Sequence, residues 1–166
     1  MGHIWLIGLM GSGKNAVGAA LAERTGRPFY DVDAGVEAEY GRSVSDIFFI
    51  EGEAAFRTLE MEALTVIAAE PDGVVATGGG SILAEDNVEM MRSTGTVVLL
   101  EVTPETAAER ITDTASRPLL SGDSLEMLSD ILADRTVAYR VAAQIVVDAN
   151  DDLDTVAARV EDACDM

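Results

Sequence analysis

The sequence holds one cysteine (Cys164), one histidine (His3), one lysine (Lys14) and four prolines. A single cysteine excludes an intramolecular disulfide. One histidine with one cysteine cannot furnish a His/Cys zinc centre. Nor can they form a catalytic Cys–His pair unless residues near opposite ends of the chain meet. Positive charge is scarce: 11 basic residues stand against 30 acidic ones, a net charge of −19. Such a surface repels phosphate backbones and anionic headgroups, so no nucleic acid and no membrane is an expected partner. No apolar run approaches the roughly 18 to 20 residues of a membrane helix. The run Ile4-Trp5-Leu6-Ile7 is too short for a signal-peptide core and has no basic residue ahead of it. Met1-Gly2 opens like a myristoylation site, but Leu6 stands where Ser or Thr is required. A cytoplasmic soluble protein is the simplest expectation.

The 166 residues suit one domain. Residues of the AVILMFWYC set make up 48% of the chain, enough for a core without a disulfide or metal staple. Short apolar runs alternate with helical patterns. Strands are predicted at Ile4 to Gly8, Pro28 to Asp33, Gly73 to Thr77, Thr96 to Val102 and Gln144 to Asp148. Helices are predicted at Asn15 to Glu23, at Ser43 to Ala69 with a break near Glu51-Gly52, and at Asn87 to Ser93. Further ones are predicted after Pro104, at Ser124 to Ala143 and at Leu153 to Ala163. Strands alternating with helices imply right-handed crossovers, hence an α/β fold with five parallel strands and helices on both faces. Thr112 to Gly122 lacks periodicity, and a loop of that length in a compact domain is usually functional or mobile.

Gly8-Leu9-Met10-Gly11-Ser12-Gly13-Lys14 lies between a predicted strand and a predicted helix. It satisfies the first seven positions of the P-loop pattern in the context that pattern requires. Glycines let successive N–H groups turn toward one anion, and the helix N-terminus adds partial positive charge. Lys14 would reach the outer phosphates of a nucleotide. A composition that has discarded lysine elsewhere explains the other ten basic residues being arginine. It does not explain why the surviving lysine stands where a compact ammonium is useful. Asn15 then breaks the pattern, occupying the position whose Ser or Thr hydroxyl normally ligates Mg²⁺. An amide oxygen can also ligate Mg²⁺, with longer reach. Asn15 is thus either a tolerated variant or a lesion in metal and nucleotide binding. A P-loop GTPase is disfavoured, because no Asn-Lys-x-Asp motif occurs.

Other motifs follow: Asp31-Val32-Asp33, Gly41-Arg42-Ser43-Val44-Ser45-Asp46-Ile47-Phe48 and Glu51-Gly52-Glu53-Ala54-Ala55-Phe56-Arg57. Beyond them come Gly78-Gly79-Gly80, Arg117-Pro118-Leu119-Leu120, and Arg135 through Tyr139-Arg140. With the P-loop, these make the chain resemble shikimate kinase over nearly its whole length. The resemblance implies a single P-loop kinase domain over residues 1–166, with strand order 2-3-1-4-5. It implies a shikimate-binding region at about 33–61 and a mobile lid at about 112–123. The reaction implied is transfer of the ATP γ-phosphoryl group to the shikimate 3-hydroxyl, with ATP and Mg²⁺ as cofactors. By the same resemblance Gly11, Ser12, Gly13, Lys14, Asn15 and Ala16 would surround the phosphates. Asn15 would ligate the metal, with Asp31 behind it. Asp33 would hold ring hydroxyls, and Arg57 and Arg135 the carboxylate. Gly78, Gly79 and Gly80 would approach the ring. Arg117 would be the lid arginine. Arg110 would lie near the adenine beside Ala149 and Asn150, and Glu60 would orient Arg57. Lys14, Asp33 and Arg117 are the expected catalytic residues.

The residue chemistry suits these roles. Guanidinium forks match a carboxylate, and an aspartate accepts from hydroxyls. Glycine lets backbone approach a ligand closely. Charge spreads over three phosphoryl oxygens in transfer, so Lys14, Mg²⁺ and Arg117 would act electrostatically. Neighbouring arginines would weaken Asp33 as a base, which leaves it mainly an orienting group. Arg24, Arg92 and Arg159 read as solvated helix faces, and His3 and Cys164 as incidental. Two alternatives stay open: a catalytically weakened P-loop nucleotide- or shikimate-binding protein, motivated by Asn15, and a P-loop kinase for another small molecule.

Overall fold

The computed structural model describes residues 2–111 and 124–166. Strands β1 (His3–Ile7), β2 (Phe29–Asp31), β3 (Val74–Ala76), β4 (Gly95–Glu101) and β5 (Ile145–Asp148) form one parallel sheet in the order β2-β3-β1-β4-β5. The helices are α1 (Lys14–Thr25), α2 (Val32–Tyr40), α3 (Val44–Glu51), α4 (Glu53–Ala68), α5 (Glu85–Thr94), α6 (Pro104–Ile111), α7 (Ser124–Ala142) and α8 (Leu153–Ala163).

Side-chain alternation assigns the two faces of the central strands. Ile4 and Leu6 of β1, with Val98 and Leu100 of β4, pack under α1 and α8 against Val17, Leu21, Val156 and Val160. Trp5 and Ile7, with Val97 and Leu99, pack on the opposite face against Leu64 of α4, Met91 of α5 and Tyr139 of α7. Both faces are dry, so β1 and β4 read as continuous apolar runs. The carboxyl ends of β1, β2 and β3 therefore open side by side, where an α/β sheet binds ligands.

Two expectations need correction. The second strand is shorter than predicted, and Asp33 does not end it. Asp31 terminates β2 and caps α2, its Oδ1 accepting from the Ala34 N–H at 3.2 Å, so Asp33 lies in the first helical turn. The cap satisfies an orphan helical N–H that a strand would not present. Helix α2 went unread because only Val32 and Val36 of it are buried, too few to set a period. His3 is not incidental either. It is 2% exposed, its Nδ1 accepts from the Gly73 N–H at 3.1 Å, and its ring packs near Trp5. The break near Glu51-Gly52 is present, with Gly52 separating α3 from α4.

Candidate active site

The loop after β1 takes a shape that its glycines permit. Gly11 and Gly13 have φ of 82° and 90°, in the left-handed region that disfavours a β-carbon. A β-carbon at Gly11 would also lie 2.7 Å from the Ala107 carbonyl oxygen. Gly13 caps α1 with no side-chain hydrogen bond, which leaves the first N–H groups of that helix to an anion. Lys14 is buried, and its ammonium folds back to donate to the carbonyls of Gly8 (2.8 Å) and Leu9 (3.1 Å). Ser12 is fully buried, with its Oγ under the loop near Gly8 and without a hydrogen-bond partner among the described residues. Its N–H closes a turn onto Leu9 O at 3.0 Å. Ala16 is exposed in the first turn of the helix.

Asn15 and Asp31 are 16 residues apart and meet directly: Asn15 Nδ2 donates to Asp31 Oδ2 at 2.7 Å. An ionised carboxylate only accepts, so it takes the nitrogen end of the amide. Asn15 Oδ1 is thereby turned away from Asp31, as a neutral oxygen donor of the kind Mg²⁺ accepts. Among the described residues no group of three or more His, Cys, Asp or Glu could hold a metal ion. The donor set thus fits a cation shared with nucleotide phosphates, the usual arrangement for Mg²⁺.

A second cluster faces the loop. Arg57 of α4 donates from Nη1 to Glu60 Oε2 at 2.8 Å and from Nη2 to Glu53 Oε1 at 3.4 Å. Its guanidinium lies 5.4 Å from the Phe56 ring centroid and 5.9 Å from that of Phe48, within cation–π range. Glu60 is 0% exposed, and its other oxygen accepts from Ser81 Oγ at 2.6 Å. Both carboxylate oxygens are thus occupied, as a buried charge requires. Gly78 and Gly80 pass so close to this network that β-carbons there would collide with Glu60 Oε1 and with the Arg57 guanidinium. A β-carbon on Gly78 would also stand 3.4 Å from Asp33 Oδ1. One on Gly79 would stand 3.8 Å from Arg135 Nη1, 3.6 Å from Gly8 O and 3.7 Å from Met10 N.

Arg110 of α6 joins the phosphate loop to the turn after β5. Its Nη2 donates to Ala149 O (2.7 Å) and Asp151 O (2.9 Å), and its Nη1 to Ser12 O (3.3 Å) and Gly11 O (3.4 Å). Asn150 braces the same turn. Its Oδ1 accepts from the Thr103 N–H at 2.9 Å, and its Nδ2 donates to Asp148 Oδ1 at 2.7 Å. The Asn150 backbone and side-chain donors lower the Asp148 carboxyl below its ordinary range.

The structure therefore brings Lys14, Asn15, Asp31, Asp33, Arg57, Gly78 to Gly80, Arg110, Arg135 and Asn150 to one end of the sheet. Arg117 and the expected lid at 112–123 lie outside the described residues. Sequence reasoning missed Ser81 and gave no role to Glu53, to Phe48 and Phe56 under Arg57, or to Tyr139, although the motifs contain these four. The Tyr139 hydroxyl donates to Gly79 O at 2.5 Å. One signal was available for it: Tyr139 follows Arg135 by four positions on one helix, so the two share a face. The arginines read as solvated are engaged as well. Arg92 donates to the carbonyls of Val141 and Ala142 at the end of α7, Arg24 pairs with Glu161, and Arg159 pairs with Asp151.

Known proteins resemble this chain in sequence and fold. A family model described as shikimate kinase matches residues 10–165. A shikimate kinase of Symbiobacterium thermophilum is 49% identical over 146 residues, covering 86% of this chain and 84% of the relative. One of Chromobacterium violaceum is 42% identical, covering 89% and 80%. Among solved structures, the shikimate kinase from Acinetobacter baumannii in complex with shikimate superposes with a TM-score of 0.91 at 35% identity. That match covers 96% of this chain and 90% of the other.

Proposed function

From the premise that this chain belongs to the shikimate kinase family, ATP-dependent kinases acting on an alcohol group, we propose how its residues divide the work. Asp33, Arg57, Arg135 and Gly78 to Gly80 hold shikimate. The loop from Gly11 to Ala16 holds the ATP phosphates. The γ-phosphoryl group passes to the shikimate 3-hydroxyl. The observation that carries this reading is the meeting of two half-sites at Gly79, which lies beside Gly8 and Met10 of the phosphate loop and beside Arg135. Acceptor and donor pockets that share a wall put their ligands within reach of each other.

Arg57 and Arg135 take the carboxylate, and Glu60 holds Arg57 in place. Asp33, facing Gly78, orients the 3-hydroxyl and takes its proton late. The new O–P bond forms as the bond from the γ-phosphorus to the bridging oxygen breaks, and ADP leaves with that oxygen. Lys14 exchanges its two loop carbonyls for phosphate oxygens. Arg117 adds positive charge from the 112–123 segment. Mg²⁺, when bound with ATP, neutralises charge on the β- and γ-phosphate oxygens. Asn15 Oδ1 would hold it, with Asp31 fixing the amide. Arg110 and Asn150 flank the adenine side. In this reading the enzyme works as a monomer in the cytoplasm.

Both substrates are anions and the chain carries −19, so site arginines must oppose the global field. Four of the ten arginines (Arg57, Arg110, Arg117 and Arg135) are assigned there. The test is ADP release from ATP and Mg²⁺ with and without shikimate, at low and molar KCl. Shikimate-dependent release is expected. Release that ignores shikimate overturns the reading.

A further inference from the structure

Tyr139 has no part in the division of work above, yet it touches both carboxylate-side features. It is 1% exposed on α7, and its hydroxyl donates to Gly79 O at 2.5 Å. Arg135 stands one turn earlier on the same helix face, and its Nη1 lies 3.8 Å from where a β-carbon on Gly79 would be, so guanidinium and phenol border the same glycine. A guanidinium has donors only. The phenol sends its own proton to the Gly79 carbonyl, so it can meet the neighbouring guanidinium only as an acceptor. The Tyr139 hydroxyl thereby fixes the direction of the Gly79 carbonyl. It also orients a peptide plane. The Gly79–Gly80 unit is trans, so the Gly80 N–H points opposite to the pinned carbonyl.

We propose that Tyr139 is a positioning residue for the acceptor substrate, its hydroxyl holding the Arg135 guanidinium and the Gly79–Gly80 peptide in the geometry that receives the substrate carboxylate. This rests on the reading of Arg135 and the glycine triplet as the shikimate pocket. The donor stays on at neutral pH. Burial raises the Tyr139 phenol above its ordinary value, and the charges of Arg135 and Arg57 only partly oppose that.

Tyr139→Phe removes one oxygen and keeps the ring packing. Shikimate KM and Kd are expected to rise about tenfold, the size of one lost buried hydrogen bond, with the ATP KM unchanged within about twofold. In an Arg135→Ala background the same substitution should cost less than about twofold, because its effect runs through that guanidinium. An unchanged shikimate Kd, an equal rise in both KM values, or full additivity with Arg135→Ala overturns the proposal. Should the phenylalanine variant fold poorly, difluorotyrosine placed at position 139 keeps the packing but makes the phenol more acidic. Its shikimate KM should rise with pH where the unmodified enzyme stays flat, and two flat profiles overturn the proposal. Calorimetry separates this inference from its premise. No shikimate binding by the unmodified protein removes the premise, whereas equal affinity in both proteins removes the inference alone.

Discussion

The phosphate loop and the Gly78 to Gly80 triplet are both glycine turns at the carboxyl ends of adjacent strands, and they need glycine for different reasons. In the phosphate loop Gly11 and Gly13 sit at φ of 82° and 90°, where a β-carbon strains the chain itself. The obstacle beside Gly11 is the Ala107 carbonyl, which is backbone. None of the triplet glycines lies in the left-handed φ range, and Gly80 has φ −106°, which any residue adopts. What excludes a side chain there is occupied space. Glu60 stands at Gly78 and Arg57 at Gly80, both carried by α4 about 20 residues away. One loop is glycine for its own shape and the other for room that distant residues have filled. A local motif can state the first requirement, but only packing states the second.

The contrast can be broken or sharpened by substitution. The largest effect is expected from Lys14→Met, which removes the loop's one ammonium. Its kcat should fall about 10³-fold, near 4 kcal/mol, while shikimate affinity measured by calorimetry stays unchanged. Gly78→Ala comes next. It should weaken shikimate binding about 100-fold and leave ADP affinity within about twofold, because the displaced groups are Glu60 and, through it, Arg57. Adding Glu60→Asp, which withdraws the blocking oxygen by one methylene, should restore part of that loss. No recovery at all would remove the spatial account. Gly11→Ala should lower the melting temperature by about 5 °C, from roughly 2 kcal/mol of backbone strain, and weaken ADP binding. No neighbouring substitution should rescue it, because its obstacle is a carbonyl of the main chain. The smallest effect concerns the whole surface. With −19 of net charge, the melting temperature should climb by a few degrees from low to molar KCl as repulsion is screened. A flat profile would show that the acidic surface does not limit stability.

Legibility followed the same division. The parallel five-stranded layering and the phosphate loop could be read because apolar runs, helical periods and a seven-residue pattern are local, whereas the strand order came only through resemblance. The acceptor residues Asp33, Arg57 and Arg135 could be named only through resemblance, since no spacing connects residues from α2, α4 and α7. The strand end at Asp31 was misplaced because a capping aspartate and a strand-terminal aspartate look alike in one dimension. Ser81 was passed over because a hydroxyl after three glycines has no meaning until Glu60 is buried beside it. His3 was dismissed by its position near the terminus, although β1 carries it into the interior.

By itself the amino-acid order determined the layered fold, the anion-binding turn and the placement of the only lysine within it. These follow from periodicity and backbone conformation, which act over a few residues. The tertiary structure alone decided that Asn15 would turn its amide nitrogen to Asp31, that Glu60 would be buried with both oxygens engaged, and that Tyr139 would bind the Gly79 carbonyl. Each is a hydrogen bond between separate elements. Its strength depends on desolvation and aim, and neither exists until the helices have packed on the sheet.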